Sequence, residues 1–161
     1  MERHILSILV ENKSGVLSRV VGLVSRRGYN IESLSVGPTE DENLSRITMI
    51  VPTESASFEQ LTKQLNKLVC VYKVVEMDKG DAIVRELVLI KVAVAAEKRN
   101  EVIEIANVFR AKVVDVGRAS ITIEATGDEH KLSGLENLLR AYGIKEITRT
   151  GKIAMKRSVH N

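Results

Sequence analysis

The stretch Glu11-Asn12-Lys13-Ser14-Gly15-Val16-Leu17 has residue types and spacing that suit ligand chemistry. Apolar residues alternate before it, as in a strand, and recur at helical spacing after it. A strand that turns directly into a helix leaves first-turn N–H groups without carbonyl partners, where the macrodipole is also positive. Such a place binds carboxylates and phosphates. Gly15 carries no Cβ, so a ligand can approach the backbone there. The reading is a site for the carboxylate of a small molecule, an amino acid. The plainer alternative is a helix cap, with Ser14 or Asn12 as the N-cap residue.

Other chemistries lack their residues. A metal site needs clustered ligands, but His4, His130 and His160 are scattered and Cys70 stands alone. Each histidine is expected at the surface. Cys70, inside Leu68-Val69-Cys70-Val71, is expected to be a small buried hydrophobe. Nucleophilic catalysis needs a nucleophile, a base and an orienting group, and no histidine accompanies the serines in that way. Walker-type and GxGxxG phosphate loops are absent. The anion-binding arginine of an acylphosphatase-like turn is missing between Glu11 and Leu17. Glu40-Asp41-Glu42 reads as a solvated turn. RNA recognition on a sheet needs aromatics at its centre, and Tyr29, Phe58, Tyr72, Phe109 and Tyr142 avoid the central strands. No catalytic residue and no metal ligand is expected, which leaves binding or regulation.

The elements that must position the turn follow from periodicity. Residues 4–10 alternate as a strand apolar on both faces. Val16, Leu17, Val20, Val21, Leu23 and Val24 mark a helix that Gly28 stops. Tyr29–Val36 and Arg46–Val51 read as strands. Ser55 or Ser57 caps a helix with the stripe Phe58, Leu61, Leu65 and Leu68, and Val71–Met77 closes the unit. Asp78-Lys79-Gly80-Asp81 is a boundary. The order then repeats: strand 85–94, helix 97–110, strands 112–116 and 120–125, a helix capped by Asp128, and strand 144–150. The fold class is α+β, two successive βαββαβ ferredoxin-like units. The domains are 1–77, a linker at 78–84, and 85–161 with a basic tail. In this fold both helices cover one face of the sheet. The other face of the first unit carries Ile5 and Leu9, and that apolar surface predicts an oligomer.

The chain has 161 residues, 44% hydrophobic and only 3% aromatic, so its cores must be Val, Ile and Leu. Net charge is +3, with much of the excess in Arg149, Lys152, Lys156 and Arg157. That tail reads as a solvated terminus, or as a contact for nucleic acid or an acidic face. No leader and no membrane-spanning run is evident, and one cysteine fits a reducing compartment. The expected location is cytoplasmic.

The stretch Ile5 to Val20 and the stretch Arg26-Arg27-Gly28-Tyr29-Asn30-Ile31-Glu32-Ser33-Leu34 resemble the regulatory small subunit of acetohydroxyacid synthase, or acetolactate synthase. Leu44–Thr48, Gln64–Val69 and Phe109–Val116 extend the resemblance over essentially the whole chain. The first half resembles an ACT domain. The resemblance implies a subunit with no active site and no cofactor of its own. It implies a catalytic large subunit using thiamine diphosphate, Mg²⁺ and FAD, activated by this chain. It implies feedback inhibition by a branched-chain amino acid, usually valine, within branched-chain amino acid biosynthesis. The family's effector site lies between two ACT domains of a homodimer. Its positions fall on Asn12, Gly15, Val16, Leu17 and Ser18, facing Asn30 and Ile31 of the neighbouring chain. The alternative is a stand-alone amino-acid sensor acting on nucleic acid or another enzyme.

Overall fold

A computed structural model describes residues 1–158. His160 and the end of the expected second domain lie outside the described residues. The chain divides into two units, Met1–Val84 with the segment from Lys152 onward, and Arg85–Gly151. This division differs from the expected 1–77, 78–84 and 85–161. Residues 78–81 form a turn, closed by the Asp81 N–H on the Asp78 carbonyl at 3.0 Å. The next strand already starts at Ala82, and the tail returns to the first unit.

In the first unit the order is β1 (Glu2–Glu11), α1 (Val16–Arg26), β2 (Ser33–Pro38), β3 (Leu44–Thr53), α2 (Ser55–Asn66) and β4 (Val71–Met77). The sheet runs β2-β3-β1-β4, all antiparallel. The period-2 pattern sends Leu6, Ile8 and Val10 of β1 and Ile47, Met49 and Val51 of β3 to one face. There they meet Val16, Val20 and Val24 of α1 and Phe58, Leu61 and Leu65 of α2. Cys70 is buried in this core as expected.

The end of α1 explains a boundary that periodicity misplaces. Gly28 takes φ 80. Its N–H donates to the Ser25 carbonyl, and the Tyr29 N–H to the Val24 carbonyl, at 3.0 and 3.2 Å. This is a Schellman closure. It holds Tyr29 against the helix end, so β2 starts at Ser33 and not at Tyr29. The Tyr29 hydroxyl donates to the Ser57 carbonyl at 2.7 Å, which makes Tyr29 structural.

One end of the open face of this sheet, expected to be left for a second molecule, is covered within the chain, while Leu9 stays half-buried. Ile5 and Ile50 are buried with Ala154, and Met77 and Val84 pack on them. Ala154 lies in β9 (Ile153–Lys156), which pairs with β5 (Ala82–Ala93). The Lys152 N–H donates to the Ser33 hydroxyl at 2.8 Å, and the Arg157 N–H to the Asp81 carbonyl at 2.7 Å. The basic tail is therefore largely a strand. Its alternating Ile153, Ala154 and Met155 bury only the small residue, a weak signal in four positions.

The second unit repeats the topology with β5, α3 (Arg99–Val108), β6 (Lys112–Val116), β7 (Ser120–Gly127), α4 (Glu129–Leu139) and β8 (Ile144–Arg149), in sheet order β6-β7-β5-β8. Val88, Ile90 and Val92 of β5 and Ile121, Ile123 and Ala125 of β7 face Val102 and Ala106 of α3 and Leu132, Leu135 and Leu139 of α4. Asp128 caps α4, its carboxylate accepting from the Lys131 N–H at 2.9 Å, as the sequence predicts. Among the described residues no helix is long and apolar enough to cross a membrane.

Candidate functional site: the turn from β1 into α1

The chain leaves β1 at Glu11, and Asn12 anchors the turn. Its backbone N–H donates to the Asn43 carbonyl at 2.8 Å, and its side-chain Nδ2 to the Glu42 carbonyl at 2.9 Å. The acceptor loop is itself braced, because Asp41 Oδ1 accepts from the Asn43 N–H at 2.9 Å. The Glu40–Glu42 loop thus fixes the turn through its backbone, a role that nothing in its acidic composition announces. With Nδ2 engaged, Asn12 keeps its Oδ1 as an acceptor.

Gly15 occupies the N-cap position of α1, at φ 85 and ψ −11, and no side chain caps the helix. Neither Ser14 nor Asn12 does the capping that composition allows. The left-handed φ favours glycine, and an added Cβ at Gly15 would meet nothing within 4 Å, so the approach is open. Arg19 closes the first turn on the Gly15 carbonyl at 3.1 Å, and Val16 makes a long 3.4 Å bond to Lys13. Among the described residues the N–H groups of Gly15, Leu17 and Ser18 find no acceptor. The first turn of α1 contains no acidic residue. The positive end of the helix therefore keeps its full attraction for an anion. Val16 is buried beneath, and Leu17, 38% exposed, stands beside the amides.

Asn30 and Ile31 do not join this group within one chain. Asn12 is tied to the end of the sheet where Glu11 pairs with Leu44. Asn30 and Ile31 lie just before Ser33, which pairs with Ile50 at the opposite end. The eleven residues of α1 separate the two groups by about 16 Å at the usual helical rise. Asn30 is exposed, and Ile31 packs against the rim of the core. Glu32 ion-pairs with Arg3 at 2.7 Å.

The remaining buried polar groups are structural. His4 is not at the surface. It is buried, stacks on Phe58 with ring centroids 4.0 Å apart, and places Nδ1 2.7 Å from the Glu76 carboxylate. In the second unit Arg149 reaches Glu136 at 2.7 Å and Glu86 at 3.8 Å. The hydrogen bond that Arg149 donates to Glu136 raises the guanidinium further above its ordinary value. Among the described residues no group of three or more His, Cys, Asp or Glu is arranged to hold a metal ion.

Residues 6–73 match the family model described as AHAS small subunit-like ACT domain, and residues 85–158 the model described as small subunit of acetolactate synthase. The chain is 54% identical over 155 residues to a probable acetolactate synthase small subunit of Archaeoglobus fulgidus, covering 96% of this chain and 97% of that one. It is 53% identical over 154 residues to the acetolactate synthase small subunit of Mycolicibacterium smegmatis, covering 96% and 91%. It is similar in structure to the acetolactate synthase small subunit of Thermotoga maritima, with TM-score 0.91, 40% identity, and coverage of 99% and 100%. With both units matched, the chain belongs to the acetolactate synthase small subunit family, as a regulatory subunit whose first unit is an ACT domain.

Proposed function

We propose that this chain binds the catalytic large subunit of acetolactate synthase, raises its activity, and makes it responsive to valine or a related branched-chain amino acid. The observation that carries this is the uncapped start of α1, where the amides of Gly15, Leu17 and Ser18 find no acceptor among the described residues and the approach at Gly15 is open. They suit an amino acid's carboxylate. Asn12 Oδ1, with Asn30 of a second copy, suits its ammonium group. Ile31 of that copy supplies apolar surface for an aliphatic side chain. The 16 Å separation within one chain supports a site shared by two copies paired through their ACT domains. Thiamine diphosphate, Mg²⁺ and FAD belong in this reading to the catalytic subunit and not to this chain.

The test titrates the full chain with L-valine in a calorimeter, as wild type, Gly15→Asn and Gly15→Asp. Both variants carry a Cβ at φ 85 and share its strain, but only the aspartate sets a negative charge at the anion site. Asparagine is expected to weaken binding modestly and aspartate to abolish it. Equal heats from wild type and Gly15→Asp would exclude the site. Adding the catalytic subunit and measuring acetolactate formation with and without valine tests activation and feedback separately.

A further inference from the structure

The segment that the proposed effector site takes from a second copy, Asn30 and Ile31, has few supports of its own. It lies between the closure at Gly28 and the first residue of β2, and belongs to neither α1 nor β2. Among the described residues the N–H groups of Asn30 and Ile31 find no backbone acceptor. On the helix side Tyr29 is fixed by its N–H on the Val24 carbonyl and its hydroxyl on the Ser57 carbonyl. On the strand side the Glu32 N–H donates to the Ile50 carbonyl at 2.9 Å. The position of Asn30 and Ile31 is therefore set by how firmly β2 is held at its start.

The sheet alone holds that start weakly. β2 is an edge strand, paired with β3 only, and the end of such a strand opens readily. Ser33 pairs with Ile50, so its side chain shares the face that carries Ile50. The end of the chain returns to this corner. Ala154 of β9 is buried with Ile50 and Ile5. Just before it, the Lys152 N–H donates to the Ser33 hydroxyl at 2.8 Å, across 119 positions of sequence. Ile50 thus meets the effector segment through its carbonyl and the tail through its side chain. β9 is itself fastened, because it pairs with β5 and the Arg157 N–H donates to the Asp81 carbonyl at 2.7 Å. The ion pair of Glu32 with Arg3 is partly exposed, and such pairs hold weakly in water.

We infer that β9 is a positioning element of the effector site: the Lys152 N–H, through the Ser33 hydroxyl, fixes the start of β2 and with it the Asn30–Ile31 half-site that each copy offers its neighbour. The inference rests on the site stated under the proposed function and adds what holds one half of it. Neither Ser33 nor Lys152 touches the amino acid in this arrangement. Breaking their bond weakens binding because the segment must then be ordered when the ligand arrives, and a preordered segment binds more tightly.

The experiment is a double-mutant cycle on the full chain, with L-valine affinity measured by calorimetry well below the melting temperature of every variant. Ser33→Ala removes the acceptor. Lys152→Pro removes the donor, since proline has no N–H and is tolerated at the start of a strand. Each single variant is expected to weaken valine binding about two- to tenfold, the range that one hydrogen bond of ordinary net worth allows. Together they are expected to weaken it no more than either alone, because both break the same bond. Hydrogen exchange at the Glu32 amide, measured without valine, is expected to quicken in each variant while the amides of α1 keep their protection. Unchanged valine affinity in Ser33→Ala would overturn the inference and leave the effector site standing. Weaker binding by Ser33→Ala with unchanged exchange at Glu32 would make Ser33 a ligand contact and overturn it as well. So would additive losses, or a loss in only one of two folded single variants. No heat from the unaltered chain would overturn the effector site itself, and the inference with it.

Discussion

At the scale of single residues, Arg149 carries the largest electrostatic burden. It faces Glu136 and Glu86, whose side chains are 11% and 9% exposed. Removing the cation leaves two poorly solvated carboxylates, of which Glu136 keeps only its 3.9 Å pair with Arg140. Breaking a fully buried pair costs about 3–5 kcal/mol. With the arginine side chain 40% exposed, solvent screening lowers the expectation for Arg149→Met to about 2 kcal/mol. Urea unfolding followed by a probe in the second unit checks it. The hydrogen bond that Arg149 donates to Glu136 raises the guanidinium above its ordinary value. A raised value means that its stabilisation is present throughout the range below the unfolded value and is lost only as pH climbs past the folded one. The gap between wild type and variant should therefore be flat between about pH 6 and 9. Tyr142 behaves similarly. Its hydrogen bond to Glu101 raises the phenol above 10.0. Glu101→Gln should bring its ultraviolet titration back toward that value, and an unmoved titration would contradict the bond.

At the scale of elements, caps and short strands decide what periodicity leaves open. Gly28 closes α1 at φ 80. Gly28→Ala should cost about 1 kcal/mol because alanine strains in that conformation. Thermal melting of the two proteins measures the difference. Strand β9 is the other case. Ala154→Glu would push a charge between Ile5 and Ile50, and should open that face. The expected signature is binding of a hydrophobic dye and loss of hydrogen-exchange protection at Ile5. Absence of both would mean that β9 is dispensable as a cover. These two elements also show where sequence reasoning ends. The alternating apolar residues of β1 and β3 and the valine stripe of α1 were legible because each buries many large side chains. β9 was not, since it buries one alanine. His4 was misread because its burial depends on Phe58 and Glu76, distant in sequence. The turn at residues 12–17 was legible as a place where amides open to solvent. Its N-cap was not, because composition offered Ser14 and Asn12 while geometry required the left-handed φ of Gly15. Nor did composition show that the Glu40–Glu42 loop would brace Asn12 through backbone carbonyls.

At the scale of the whole molecule, one topology serves twice with different surfaces. The first repeat keeps an unfilled helix start, and the second exposes Val108 and Leu138 on its helices. If the amino-acid site is shared between copies, ligand and association are linked, and each must favour the other. Valine should then raise the dimer fraction in sedimentation at low protein concentration. Diluting the chain should weaken apparent valine affinity. A valine affinity independent of protein concentration over a range in which the dimer dissociates would place the site within one copy.

The opposed positions of Asn12 and Asn30 about α1 have a further consequence. If the amino-acid site is shared between two copies as proposed, each α1 contributes its start to one site and the segment after its end to the other. Such a dimer would hold two effector molecules joined by two stiff rods. Seating the first would draw the second cavity toward its final width before anything enters it. Valine saturation should accordingly be sigmoidal, with a Hill coefficient between one and two.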